Sequence, residues 1–144
     1  MITPDMWSPV AITMLEPGAR AAITALHGNS MVIANPGSGK TELLAQRADF
    51  VLGTGTSRYP KKILAISFKT DAAHTLRRRV RDRSGADHAH RLNSMTFDAF
   101  ARRIISIYRP LLSAEDRLDP GFKVGVTRLR STQVAFKELV PLAQ

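Results

Sequence analysis

Residues Met31 to Gln46 read "MVIANPGSGKTELLAQ", and no other stretch restricts the fold as tightly. "ANPGSGKT", Ala34 to Thr41, fits the pattern A/G-x-x-x-x-G-K-S/T. The short apolar run Met31 to Ala34 precedes it and reads as a buried strand. Leu43, Leu44, Ala48, Val51 and Leu52 follow at helical spacing. A glycine-rich turn between a strand and a helix can cradle phosphate. Gly37 and Gly39 allow the backbone to turn successive N–H groups toward anionic oxygens. Lys40 supplies a point charge for β and γ phosphates, and the Thr41 hydroxyl can ligate Mg2+. The helix that follows points its positive amino end at the same anion.

The rest of the chain has an alternating pattern. Leu15, Ala19, Ala22, Ile23 and Leu26 mark a helix, with Pro17 near its first turn and Gly28 beyond its end. "KILAIS", Lys62 to Ser67, reads as a second buried strand. Ala72, Ala73, Leu76 and Val80 mark a helix whose other face is nearly all arginine, stopped around "SGAD". Asn93 to Thr96 reads as a short third strand. Phe97, Phe100, Ala101, Ile104, Ile105 and Tyr108 form an amphipathic helix ended by Pro110. Strands alternating with helices indicate an α/β fold with a parallel sheet and crossover helices. After Pro110 the pattern weakens: "FKVGV" is a candidate strand and Ser131 to Val140 a candidate helix. The organisation expected is a lead-in over 1–14, a core over 15–110, and the entry to a helical insertion over 111–144.

Composition narrows the partner class. Twenty-one Lys and Arg against twelve acids give a formal charge of +9, a field suited to polyanions. Residues 77–103 hold eight arginines against Asp82, Asp87 and Asp98, which makes that stretch the expected nucleic-acid face. No apolar run approaches the ~20 residues needed to span a membrane, so no membrane partner is expected. The absence of cysteine fits a reducing, cytoplasmic setting.

Two later pieces and one ahead of the loop, in order, resemble UvrD/Rep-type superfamily 1 DNA helicases. "ILAISFKTDAAHTLRRRV" looks like motif Ia, whose pattern runs close to T-F-T-N-K-A-A. "SMTFDAFARRII" resembles the T-F-H-x-F/L-A segment that follows it. "LEPGARAAI" stands where the family's adenine-reading Q motif belongs. The resemblance covers Leu15 to Tyr108. It implies a RecA-like P-loop NTPase core, incomplete here, forming the ATP-binding domain 1A. Its cofactors are ATP and Mg2+, held by Ala34, Asn35, Pro36, Gly37, Ser38, Gly39, Lys40, Thr41 and Glu42. Lys40 and Thr41 carry the catalytic roles within the loop, and Thr41 is the metal ligand. It further implies that Phe68, Thr70, Thr96 and Phe97 line a channel for single-stranded DNA, in preference to RNA, and that the remaining helicase domains are partners. Stacking on an exposed ring beside a cation, as in Phe68-Lys69, is the physical basis of such a channel.

The sequence also departs from the family. Ala19 stands in place of the Q-motif glutamine and cannot read the adenine edge. Glu42 replaces a basic residue that often follows the loop threonine. Thr70, Asp71 and Asp98 stand where the family has Asn, Lys and His. The D-E-x-Q pair that completes the Mg2+ site has no evident counterpart, since Glu115-Asp116 follows "PLLSA" in a turn-like context. The reading is an N-terminal piece of an ATP-dependent helicase, inactive in hydrolysis by itself. The alternative is a stand-alone P-loop module that binds nucleotide or nucleic acid without hydrolysis.

Overall fold

The helix that follows the glycine-rich loop organises the structure, a computed structural model that describes residues 2–119 and Phe122. Two units divide the chain, residues 1–101 and 102–144. In chain order the elements are α1 (Pro17–Thr24), α2 (Lys40–Gly53), β1 (Ile63–Ser67), α3 (Thr70–His90), β2 (Leu92–Thr96) and α4 (Phe97–Tyr108). Short 3-10 turns lie at Pro4–Met6 and Arg109–Leu111.

α2 is sandwiched because it buries two faces. Ala45 and Ala48 pack with Leu76 and Val80 of α3 and Leu92 of β2, with Ile63 and Ala65 of β1 at the margin. Alanine on α2 permits close approach to α3, and the larger side chains of α3 and β2 fill the remaining space. On the other side Phe50 packs with Trp7 and with Ile23 of α1. The Trp7 and Phe50 rings meet edge to face, 5.4 Å apart at 83°. Trp7 Nε1 donates to Asp49 Oδ2 at 2.8 Å, so the one polar atom of the buried indole is satisfied. Each such ring is worth about 1.5–3 kcal/mol by burial. The segment ahead of α1 holds one short 3-10 turn at Pro4–Met6 and sends Trp7 into the core.

β1, α3 and β2 form a parallel strand–helix–strand unit, the arrangement the alternating pattern indicates. Among the described residues the sheet has two strands, in register Ile63↔Leu92 through Ser67↔Thr96. α3 breaks its helical backbone at Gly85, φ 84° and ψ 174°, within the "SGAD" stop, then resumes to His90. The expected strand at Met31 to Ala34 is a correction. This run forms no strand, and Met31 and Ile33 are 85% and 87% exposed. An extended segment becomes a strand only when a neighbour accepts its backbone hydrogen bonds, and none among the described residues pairs with it. Among the described residues β1 is paired on one side only, and a cavity of about 420 Å3 is lined by all five of its residues together with Leu44, Ala48 and Val51 of α2.

In the second unit, Arg102 donates to the Phe122 carbonyl at 3.3 Å and lies 5.7 Å from its ring centre. Arg109 Nε donates to the Leu118 carbonyl at 2.5 Å. α4 buries none of its residues, so its strong apolar stripe is unpartnered among the described residues. The strand expected at "FKVGV" and the helix expected at Ser131 to Val140 fall outside the described residues, apart from Phe122.

Trp7 is the one buried side chain among the described residues of the lead-in. Trp7→Ala is expected to lower unfolding stability by about 3–5 kcal/mol, read by chemical denaturation. A loss below about 1 kcal/mol contradicts a core role.

Candidate nucleotide and nucleic-acid site

The loop from Ala34 to Gly39 closes on itself through one carbonyl. The Asn35 oxygen accepts from Ser38 N at 3.2 Å, Ser38 Oγ at 2.7 Å and Lys40 Nζ at 2.5 Å. Lys40 Nζ also donates to the Ala34 carbonyl at 2.8 Å. The ammonium thus lies across the loop, while Asn35, Pro36, Gly37, Ser38, Gly39 and Lys40 are all exposed. Gly37 and Gly39 have φ of 81° and 79°, the left-handed region where a side chain is strained. A Cβ at Gly37 would meet nothing within 4 Å, so conformation and not crowding demands glycine there.

Gly39 is the residue before α2 and offers no side-chain cap. The first intrahelical bond at this end runs from Leu43 N to Gly39 O, 2.9 Å. The N–H groups of Lys40, Thr41 and Glu42 are therefore left for an outside acceptor. Three uncapped donors, a helix dipole and an adjacent ammonium make a place for an anion, and a polyphosphate fits it.

Glu42 places a carboxylate in the first turn of this helix, where it would oppose a bound phosphate. Two guanidiniums from α3 offset it. Arg79 Nη1 donates to Oε2 at 3.1 Å and Arg83 Nη1 donates to Oε1. Gln46 Nε2 donates to Oε1 at 3.0 Å. The Gln46 amide is fully buried and also brackets the lead-in, donating to Val10 O at 2.7 Å and accepting from Val10 N at 3.0 Å. Burial pushes the Glu42 carboxyl up. The hydrogen bonds from Arg83 and Gln46 and the charges of Arg83 and Arg79 outweigh that and hold it below its ordinary value.

The nucleic-acid candidates converge through strand register. Ser67 pairs with Thr96, so β1 and β2 end side by side and release Phe68 and Phe97 at the same edge. Phe68 is fully exposed and Phe97 is 59% exposed. Thr70 is exposed at the start of α3. Thr96 is half-buried, and its Oγ1 accepts from Ala99 N at 3.2 Å, capping α4. Thr96 therefore has a structural task beside any contact with a strand. Thr41 and Ser67 line the same cavity, which brings the phosphate loop's helix to the carboxyl ends of the strands. Ligands of open α/β sheets bind at that edge.

Sequence reasoning left other residues unnoticed. Arg47 Nη1 donates to three carbonyls at the end of α1, Ala22 at 3.1 Å, Ile23 at 2.8 Å and Ala25 at 3.0 Å. It locks the segment carrying Ala19 to α2. Its only sequence signal was a charge on a half-apolar helix. The four-residue spacing of Arg79 and Arg83 did signal a shared face, but not the acid they meet. Glu115-Asp116 lies in a turn, where Asp116 Oδ2 accepts from Ser113 Oγ at 2.8 Å. His88 Nδ1 is 3.6 Å from Asp49 Oδ1, and no cluster of metal-ligating side chains occurs among the described residues. No helix among them is long and apolar enough to cross a membrane.

A glycine-rich loop opening a helix beside parallel strands puts the chain among P-loop α/β proteins. Within that class it belongs to the UvrD/REP helicase N-terminal domain family, whose profile matches residues 15–140. That domain has a RecA-like core, and the two-stranded unit is an incomplete part of it. Similar proteins include DNA helicase IV of Escherichia coli (strain K12), 35% identical over 70% of this chain and 14% of that protein. A DNA helicase II homolog of Mycoplasma pneumoniae is 28% identical over 65% of this chain and 13% of its own length. ATP-dependent DNA helicase PcrA of Leuconostoc citreum is 33% identical over 58% of this chain and 11% of its own. The chain thus spans a small fraction of the relatives it matches.

Because the folded-state pKa of Glu42 is depressed, its contribution to stability is full above about pH 4.5 and is lost as pH falls through the lower folded value. Glu42→Gln is expected to melt at lower temperature than the wild type near neutrality, with the gap closing in acid. A gap that stays constant into strong acid contradicts the ion-pair account.

Proposed function

We propose that this chain is the ATP-binding 1A part of an ATP-dependent DNA helicase, holding Mg2+·ATP at residues 34–42 and one face of single-stranded DNA at Phe68, Thr70, Thr96 and Phe97. The observation that carries the reading is the common edge. Thr41 at the uncapped amino end of α2 shares a cavity with Ser67, the last residue of β1, and the exposed Phe68 and Phe97 follow the ends of β1 and β2. A single unit of structure thereby offers donors for phosphate and aromatic surfaces for bases.

The residues present fit the nucleotide. Lys40 and the N–H groups of Lys40, Thr41 and Glu42 would hold the β and γ phosphates, and Thr41 Oγ1 would ligate Mg2+. Mg2+·ATP supplies a phosphoryl group whose transfer to water releases the energy for movement. Lys40, whose ammonium donates to the Ala34 and Asn35 carbonyls, is the side chain that would turn to the phosphate oxygens. Arg79 and Arg83 neutralise Glu42 and keep the first turn of α2 receptive to negative charge.

Hydrolysis needs groups beyond this loop: an acid at a neighbouring strand end, a water-positioning group and an arginine for developing charge. The Glu115-Asp116 turn has no strand end to present such an acid. We therefore assign catalysis to a larger assembly with the remaining helicase domains, and binding to this chain. With Ala19 unable to hydrogen-bond a base edge, discrimination between adenine and guanine is expected to be weak.

Two substitutions separate the two ligands. Lys40→Ala is expected to reduce ATP affinity by about tenfold or more, as loss of a charge-assisted hydrogen bond does, while single-strand affinity is unchanged. Phe68→Ala is expected to do the reverse, losing about 1–3 kcal/mol of stacking per base. Titration calorimetry with ATP and fluorescence anisotropy with a labelled oligonucleotide measure both. Single-strand affinity unaffected by Phe68→Ala would count against the strand-binding half of the reading.

A further inference from the structure

We propose that the outward face of α3 is a second nucleic-acid contact, one that holds the phosphate backbone of a DNA duplex adjoining the single strand. This rests on the strand reading at Phe68 and extends it to a different surface and a different form of DNA.

The five arginines of α3 do not share one task. Arg79 and Arg83 turn inward to Glu42. Arg77, Arg78 and Arg81 are exposed and line a shallow depression of about 510 Å3 together with Asp71, His74 and Thr75. Arg77 Nη2 donates to the Ser94 carbonyl at 3.0 Å, which fixes its stem and leaves the rest of its guanidinium fork outward. Arg81 meets only its neighbour Asp82, at 3.4 Å with both side chains more than half exposed, a pairing that contributes little. Arg78 has no ion-pair or hydrogen-bond partner among the described residues. The depression thus carries three guanidiniums against the single carboxylate of Asp71, with Asp82 at its rim.

The side chains that are missing from this surface define its ligand. Single-stranded binding combines cations with aromatic rings on which bases stack. The strand ends have large rings in Phe68 and Phe97, whereas the α3 depression holds no Phe, Tyr or Trp and its one ring is the imidazole of His74. A surface where three guanidiniums outnumber one small ring favours phosphates over unstacked bases, which suits a double helix whose bases are hidden. The geometry also matches. His74, Arg78 and Arg81 recur along one stripe of α3, about one turn of roughly 5.4 Å apart. Arg78 lies about 12 Å along the helix from Thr70, equal to roughly three to four base-pair steps. A duplex that begins where the single strand leaves Phe68 therefore reaches these arginines within its first few pairs.

The test uses the 144-residue chain and three labelled DNAs: a single strand, a blunt duplex, and a junction of duplex with a single-stranded tail. Arg78→Ala/Arg81→Ala alters two exposed side chains outside the core, and circular dichroism checks that the fold is retained. The expected result is unchanged single-strand affinity, junction affinity about tenfold weaker, and a salt dependence on the junction lower by roughly two phosphate contacts. An unchanged junction affinity overturns the proposal. So does an equal loss on single strand and junction, which would make these arginines part of the strand channel. Phe68→Ala in parallel keeps the two readings apart, because failure of the strand reading appears as unaltered single-strand binding in that variant alone.

Discussion

A single carboxylate, Glu42, ties together the three segments on which the site depends. It takes hydrogen bonds from Arg79 and Arg83 of α3 and from Gln46 of its own helix, and Gln46 grips both backbone groups of Val10. Arg79 is 38% exposed in its side chain, so its contact is screened by solvent, and Arg83 at 22% is the stronger partner. Buried amides such as Gln46 are costly unless satisfied, and here both ends of the amide are paired. The position of Glu42 matters more than its energy. It sits one residue after Thr41, so the start of α2 cannot shift without disturbing α3 and the lead-in.

This linkage gives the two halves of the site a common frame. α3 begins at Thr70, directly after Phe68 and Lys69, and ends before β2, whose register sets Thr96 and Phe97 beside them. A change at the phosphate loop therefore has a short physical path to the aromatic edge through Glu42, Arg79 and Arg83. In a motor, such a path is where nucleotide state and strand grip would be coupled. Among the described residues the outer edge of β1 and the apolar stripe of α4 have no partner.

Much of the architecture was legible because local and tertiary preferences agree. Ile63–Ser67 is a short apolar run and Leu92–Thr96 a short segment of mixed polarity, and their strands formed where the pattern put them. The four helices were legible from periodicity, and Gly85 marked the break in α3. Met31 to Ala34 failed because a strand is a property of a pair, and its own sequence says nothing about whether a neighbour is present to accept its bonds. Trp7 was missed because "MITPDMWSPV" has no periodicity, although an indole's area alone favours burial. The loop residues 34–41 were legible as a motif by type and spacing, and Gly37 and Gly39 take the left-handed backbone that such a turn needs. The partners of Glu42 and Arg47 were not, since both depend on which helices pack together.

The central claim is that residues 34–42 recognise the phosphates of a nucleotide and make little use of its base. The most direct test is calorimetric titration of the 144-residue chain with Mg2+·ATP and then with AMP. Loss of the β and γ phosphates removes the charge-assisted contacts to Lys40 and the amino end of α2, each worth about 1.5–3 kcal/mol. The account predicts that AMP binds at least about tenfold more weakly than ATP, with GTP close to ATP. Equal affinity for ATP and AMP, or strong selection for adenine with no dependence on phosphate number, would contradict it.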